Sequence, residues 1–183
     1  FPNSLGLYYL LFCIHLGFDA LDGPGKVMGL SSYGTYSNDV SPLFRSRLKT
    51  KDTYDVTRFA SRFFMRRFGK QRKKGEKLTK KHQNIAFMLQ RTLEEMALRL
   101  VNENYMYTQS KNLCLAGGTA MNCVMNGYLL RTENVKDIFI QPAASDNGVS
   151  IGAALEAYAR LGYKPRSKFD SVYLGPKFDD EQI

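Results

Sequence analysis

The chain has 183 residues, 44% of them apolar and 13% aromatic. That is enough to bury the core of about one domain and too apolar for a disordered or fibrous chain. The net charge of +9 raises the question of a nucleic-acid partner, so its distribution matters more than its sum. Much of it lies between Arg66 and Lys81, opposed there only by Glu76; such a run is read first as a solvated loop, and otherwise as a phosphate-binding patch or a contact with another part of the protein.

Phe1 to Phe18 carries no formal charge, but Pro2, Asn3, Ser4, His15 and two glycines break it up. A membrane span needs about 20 apolar residues, and neither a basic start nor a cleavage site marks a signal peptide. A buried helix is expected, capped by Ser4 and ended near Gly17. Leu21 to Gly34, with Gly23, Pro24, Gly25 and Gly29, reads as loop chemistry around the short apolar phrase Lys26-Val27-Met28-Gly29-Leu30. Residues 36–81 mix basic and aromatic residues without a steady period and are expected to form an insertion, with a helix over Val56 to Phe68.

Ile85, Met88, Leu89, Thr92, Leu93, Met96, Leu100 and Val101 recur at steps of three and four. This predicts an amphipathic helix from Lys81 to about Asn104. Asn112 to Ala116 predicts a strand, Thr119 to Leu130 a helix, Asp137 to Ile140 a second strand, and Asn147 to Leu161 a last helix. Short connections in that order favour an α/β sheet with right-handed crossovers. Phe1 is not an initiating Met, and Ser171 to Leu174 looks like a strand leading into an acidic tail, so the sequence reads as an internal segment of a longer chain. Cys13, Cys114 and Cys123 lie in apolar surroundings without C-x-x-C spacing; they are expected to be reduced core thiols, which points to the cytoplasm.

In such a sheet, ligands bind beyond the carboxyl ends of the strands. Gly117-Gly118 follows the first strand there. The pair either lets the backbone approach a phosphate at a helix start or simply makes a tight turn. Asn122 could reach a sugar or base, or bond the backbone. After the second strand, Asp146 either caps the following helix or offers a hard oxygen to a metal ion. Lys26 either holds an anion or faces water. His82, at the start of the long helix, is read as a helix-end residue and His15 as a satisfied core histidine.

Three phrases carry more than composition: Lys26-Val27-Met28-Gly29-Leu30-Ser31-Ser32-Tyr33-Gly34, Leu115-Ala116-Gly117-Gly118-Thr119-Ala120-Met121-Asn122 and Gln141-Pro142-Ala143-Ala144-Ser145-Asp146-Asn147-Gly148. Together with the opening Pro2-Asn3-Ser4-Leu5-Gly6-Leu7-Tyr8-Tyr9 and with Tyr173-Leu174-Gly175-Pro176, in this order, they resemble the nodulation protein U and tobramycin-type O-carbamoyltransferase family. The resemblance implies an actin-like, Hsp70-like, sugar-kinase type (ASKHA) nucleotide-binding domain. Residues 1–170 would be part of it, with 36–81 as the insertion, and residues 171–183 would lead into a C-terminal YrdC-like domain. The family's metal-binding histidines and first phosphate loop would precede Phe1.

The same resemblance implies a reaction. Carbamoyl phosphate and ATP give a carbamoyl-adenylate, and the carbamoyl group passes to a hydroxyl of an acceptor such as a sugar or antibiotic, with help from a divalent metal, iron by resemblance. Gly117 and Gly118 would lie against the adenylate with Asn122 close by, Asp146 would be a metal ligand and catalytic residue, and Lys26 would belong to the nucleotide side. Ser145 stands where glycine is expected and Thr119 where valine is usual. The partners implied are these small molecules and the rest of the same chain, with neither nucleic acid nor membrane. Two rivals remain: a sugar kinase or tRNA threonylcarbamoyl transferase of the same fold superfamily, and a basic nucleic-acid-binding module built on Arg66 to Lys81, whose binding would collapse with added salt.

Overall fold

The computed structural model describes residues 4–40, 66, 68–164 and 175–182. The expected strand at Ser171 to Leu174, and nearly all of the expected helix over Val56 to Phe68, lie outside them. Helix α1 spans Leu5–His15, with the Ser4 hydroxyl accepting from the Leu7 N–H at 3.2 Å. The helix ends as expected at Gly17, whose φ is +77°. Glycine is required twice over here, because a Cβ would also sit 2.4 Å from the Arg72 carbonyl oxygen.

That contact shows what the basic run does. Arg72 is buried; its guanidinium donates to the carbonyls of Leu16, Gly17 and Glu76 and lies 5.1 Å from the Phe18 ring centre. Its own N–H donates to the His15 carbonyl at 3.1 Å, and the Gln71 side chain donates to the Ile14 carbonyl at 2.9 Å. The last carbonyls of α1, which no helical N–H can reach, are thus satisfied from this segment. Lys73, Lys74, Lys77 and Lys80 are exposed, in keeping with a solvated charge run, but Arg72 is a structural cap within it.

Helix α2 spans Gly23–Ser31, where a loop was expected. Pro24 in the first turn is pre-set for helix, and the apolar face of Val27 and Leu30 gains more by packing than the glycines cost. The chain leaves α2 pressed against the next helix. A Cβ at Gly34 would meet the Gln83 carbonyl at 2.2 Å, and the Thr35 N–H donates to Asn84 Oδ1 at 3.0 Å.

That next helix, α3, spans Lys80–Thr108. His82 is the end residue expected of it: its Nδ1 accepts from the Thr79 N–H at 3.0 Å, half of a capping box. Ile85, Met88, Leu89, Leu93 and Met96 are buried against α1, α2 and the later elements. The helix stops at Gln109, whose φ is +54°.

Strands β1 (Asn112–Leu115) and β2 (Asp137–Ile140) pair in parallel, Asn112 against Asp137 and Leu115 against Ile140. The expected helix from Thr119 is divided. A 3₁₀ turn over Gly118–Met121 comes first, and α4, Cys123–Leu130, starts only after Asn122. After β2, a 3₁₀ turn at Asp146–Gly148 leads into α5, Val149–Arg160, which buries none of its residues against the described chain. The architecture is therefore α/β, as expected.

Two of the three cysteines depart from expectation. Cys13 is buried, and burial pushes its thiol up to about 12. Cys114 and Cys123 are exposed: Cys114 falls on the outward phase of β1, where alternate residues face away from the core, and Cys123 begins α4. Among the described residues, no helix is long and apolar enough to cross a membrane.

His15 is the core histidine anticipated, and burial lowers its pKa to about 4, with the charges of His82 and Lys81 acting in the same direction. The folded value lies below the unfolded one. The unfolded chain therefore binds a proton first, and stability present above about pH 6.5 drains away as pH falls toward 4. Denaturant titrations of this chain should show a falling midpoint over that window, with His15 contributing a slope of at most about 1.4 kcal/mol per pH unit. His15→Phe should flatten it; an unchanged slope would contradict this account.

Candidate functional site

Because β1 and β2 run parallel in register, the loops that follow them leave from one edge of the sheet. They are joined there by a backbone bond, the Gly117 N–H donating to the Ala144 carbonyl at 2.6 Å. Gly117 has φ +91° and ψ 165°, a region open essentially to glycine alone. Gly118 faces the second loop closely, since a Cβ on it would lie 3.5 Å from Ser145 Oγ. Gly148 closes that loop, where a Cβ would meet the Ala143 carbonyl at 2.3 Å.

These loops form one side of a cavity of about 640 Å³. Gly118, Thr119 and Asn122 line it from the first loop and Ser145 from the second. Opposite stand Tyr9 and Leu10 of α1, and Asp22, Pro24, Gly25 and Met28 at the start of α2. All three sequence phrases that stood out thus meet around one space. Asp19 prepares the α2 side: its Oδ1 accepts from the N–H groups of Asp22 and Leu21, the larger effect coming from Asp22, and its carboxyl is held down to about 2.

The individual side chains occupy different roles. The amide oxygen of Asn122 caps α4, accepting from the Met125 N–H at 2.9 Å, so its backbone-bonding use is realised; the residue also borders the cavity. Asp146 is exposed, directly after Ser145. Its carboxylate caps neither the 3₁₀ turn nor α5, and it makes no hydrogen bond or ion pair with any of the described residues. Lys26 pairs with Asp22, and that bond is the main cause of its raised pKa. Both side chains are 54% exposed, so the pair adds little to stability and is readily exchanged for another partner. Lys26 stands outside the cavity lining, and Asp22 is the member of the pair that lines it.

A metal ion would need several ligands. Among the described residues no three His, Cys, Asp or Glu side chains gather to hold one. Asp146 fits as one arm of such a site, and the described residues do not complete it.

Sequence reasoning passed over a buried polar network behind two of the cavity residues, Tyr9 and Asn122. The Tyr9 hydroxyl donates to Gln90 Oε1 at 3.1 Å, and the Gln90 and Asn122 amides exchange two bonds of 2.9 and 3.1 Å. Gln90 also donates to Glu94 Oε1 at 3.1 Å, and Arg91 donates to Glu94 Oε2 at 2.7 Å. Burial, with the nearby Cys13 and Glu94, raises the pKa of Tyr9, which holds the phenol protonated as a donor. The available signal was the pair Gln90 and Glu94, one turn apart on the buried face of α3.

With this geometry in place, the comparison with known proteins is direct: the chain belongs to the carbamoyltransferase family, residues 1–155 matching the description "Carbamoyltransferase N-terminus". The nodulation protein NolO of Bradyrhizobium diazoefficiens is 37% identical over 98% of this chain and 33% of its own length. NolNO of Sinorhizobium fredii is 37% identical over 98% of this chain and 27% of its own length, and the Synechocystis protein sll1178 is 38% identical over 100% and 32%. The chain thus spans about a third of the length of these relatives.

The two glycines should respond differently to substitution. Gly117→Ala is expected to cost about 1–3 kcal/mol, because alanine does not tolerate that backbone region. Gly118→Ala, where a Cβ meets only an ordinary contact, should stay within about 0.5 kcal/mol. Urea unfolding of the two variants checks this; equal losses would refute the assigned backbone geometry.

Proposed function

We propose that this chain supplies one wall of the nucleotide site in an ATP-dependent O-carbamoyltransferase. In the reaction, water hydrolyses carbamoyl phosphate to carbamate and phosphate, and the carbamate oxygen then bonds to the α-phosphorus of ATP, expelling pyrophosphate and giving a carbamoyl-adenylate. The carbamoyl carbon then bonds to a hydroxyl oxygen of an acceptor, the proton leaves that oxygen, and AMP departs. Adenylation replaces a poor leaving group by a good one. The observation that carries the reading is the meeting of three motif segments, helix α2 and the loops after β1 and β2, around one cavity of a size suited to a nucleotide-sized ligand. Membership in the carbamoyltransferase family supplies the reaction type.

Under this reading the exposed backbone of Gly117 and Gly118 admits the adenylate closely, since neither has a Cβ. Leu10, Leu21, Met28 and Leu93 offer an apolar wall for a base, and Asn122, Tyr9 and Asp22 supply polar contacts at its edge. A divalent metal, when bound, would polarise the carbonyl; Asp146 would contribute one carboxylate to it, the other donors coming from beyond the described residues. The domain carrying this wall would be of the actin-like, sugar-kinase type, and the protein would act in the cytoplasm on small molecules. A sugar kinase of the same fold superfamily predicts ADP in place of AMP.

The test uses the whole protein that carries this segment. AMP release should require both carbamoyl phosphate and a hydroxyl acceptor. Asp146→Ala should lower turnover at least about 100-fold and reduce bound metal while leaving thermal stability near native, as expected for an exposed side chain that pairs with none of the described residues. ADP formation with sugars, or normal turnover and metal content in Asp146→Ala, would contradict the reading.

A further inference from the structure

Lys111 shows which way the backbone of β1 points. Its carbonyl accepts from the N–H groups of Lys136 and Asp137, at 2.8 and 3.4 Å, so it faces β2. In a parallel strand the N–H and C=O of one residue point to the same side, and that side alternates from residue to residue. Leu113 and Leu115 therefore bond β2, while Asn112 and Cys114 turn their backbone groups to the opposite edge. There the Ser110 hydroxyl serves Asn112, accepting from its N–H at 3.3 Å and donating to its carbonyl at 3.4 Å. The outward N–H and C=O of Cys114 have no partner among the described residues, where the sheet has two strands.

A groove of about 480 Å³ adjoins this strand. Asn112 and Cys114 border it as well as Leu113 and Leu115, so it reaches the strand's edge and not one face alone. Its other wall is α3, where Leu100, Val101 and Tyr105 carry the apolar stripe onward from the buried Ala97. Leu100 is 38% exposed there. Open backbone groups thus stand beside an uncovered apolar stripe, which is the pair of surfaces that an added strand engages.

The occupant must be extended chain. Only a strand offers an acceptor to the Cys114 N–H and a donor to its carbonyl while laying alternate side chains on α3. A sheet of two short parallel strands also falls below the size that stands alone. The relatives carry such additional chain, since this one spans about a third of their length.

We propose that a strand from the part of the same protein outside residues 1–183 adds to the free edge of β1 and packs apolar side chains against Leu100, Val101 and Tyr105. The strand that leads into Gly117 would then be held from both edges. This join holds whichever ligand the cavity takes.

Residue-resolved hydrogen exchange in the whole protein tests the added strand, with Leu113 and Leu115 as internal controls. Their amides bond β2 and exchange slowly in either case. The Cys114 amide should be slowed at least about 100-fold below its unprotected rate. Unprotected exchange at Cys114 between two protected neighbours would overturn the proposal. Cross-linking identifies the occupant, using Lys111, an exposed residue of the groove. An amine reagent with a photoreactive arm should join Lys111 to a segment outside residues 1–183 of the same molecule, as mapped by mass spectrometry. Links found only within residues 1–183, or only between two copies, would refute it. Tenfold dilution should leave the protection of Cys114 unchanged; its loss on dilution would point to a second copy and contradict the assigned occupant.

Discussion

The parallel pairing of Leu115 with Ile140 is the constraint from which the site follows. Parallel strands in register bring their carboxyl ends to one edge, so the loops after β1 and β2 leave side by side. The bond from the Gly117 N–H to the Ala144 carbonyl then joins them. A slip of one residue would turn every side chain of a strand to its opposite face and separate Gly118 from Ser145. The glycines act within that frame. Gly117 supplies a backbone conformation closed to other residues, and Gly148 makes room for a carbonyl.

A second constraint joins this edge to the helices. The core of α1, α2 and α3 would pack adequately with apolar residues alone, yet Gln90 and Glu94 lie buried within it. Leaving such groups unpaired would cost about 1–3 kcal/mol each. Instead they form a satisfied network that ends on Asn122, the cap of α4. Helix α3 therefore fixes the direction of a side chain in the loop after β1, and the cavity has a specified polar edge against an apolar wall.

Much of this was legible in the sequence where local chemistry and tertiary packing agree. Ser4 and Gly17 bound α1, the three-and-four spacing from Ile85 marks α3, and both strands fall close to where the sequence reading placed them. Legibility failed where packing overrides propensity. Helix α2 forms despite its glycines because Val27 and Leu30 are buried. Asn122 interrupts a continuous helical pattern because its side chain caps a new helix. Arg72 was concealed in a run of like charges, and only the fold shows that it reaches the carbonyls at and just beyond the end of α1. The motif loops were visible as phrases, but their meeting around one cavity required the sheet register. The pair Gln90 and Glu94 marked a polar spot on the buried face of α3, but the sequence did not name its partner Asn122.

The most direct test of the central claim, that the start of α2 and the loops after β1 and β2 form one nucleotide wall, is hydrogen–deuterium exchange of the whole protein with and without ATP. Protection should rise together in peptides covering residues 19–28, 117–125 and 143–148, and little in α5. Protection confined to other segments under saturating ATP, with these three unchanged, would contradict it.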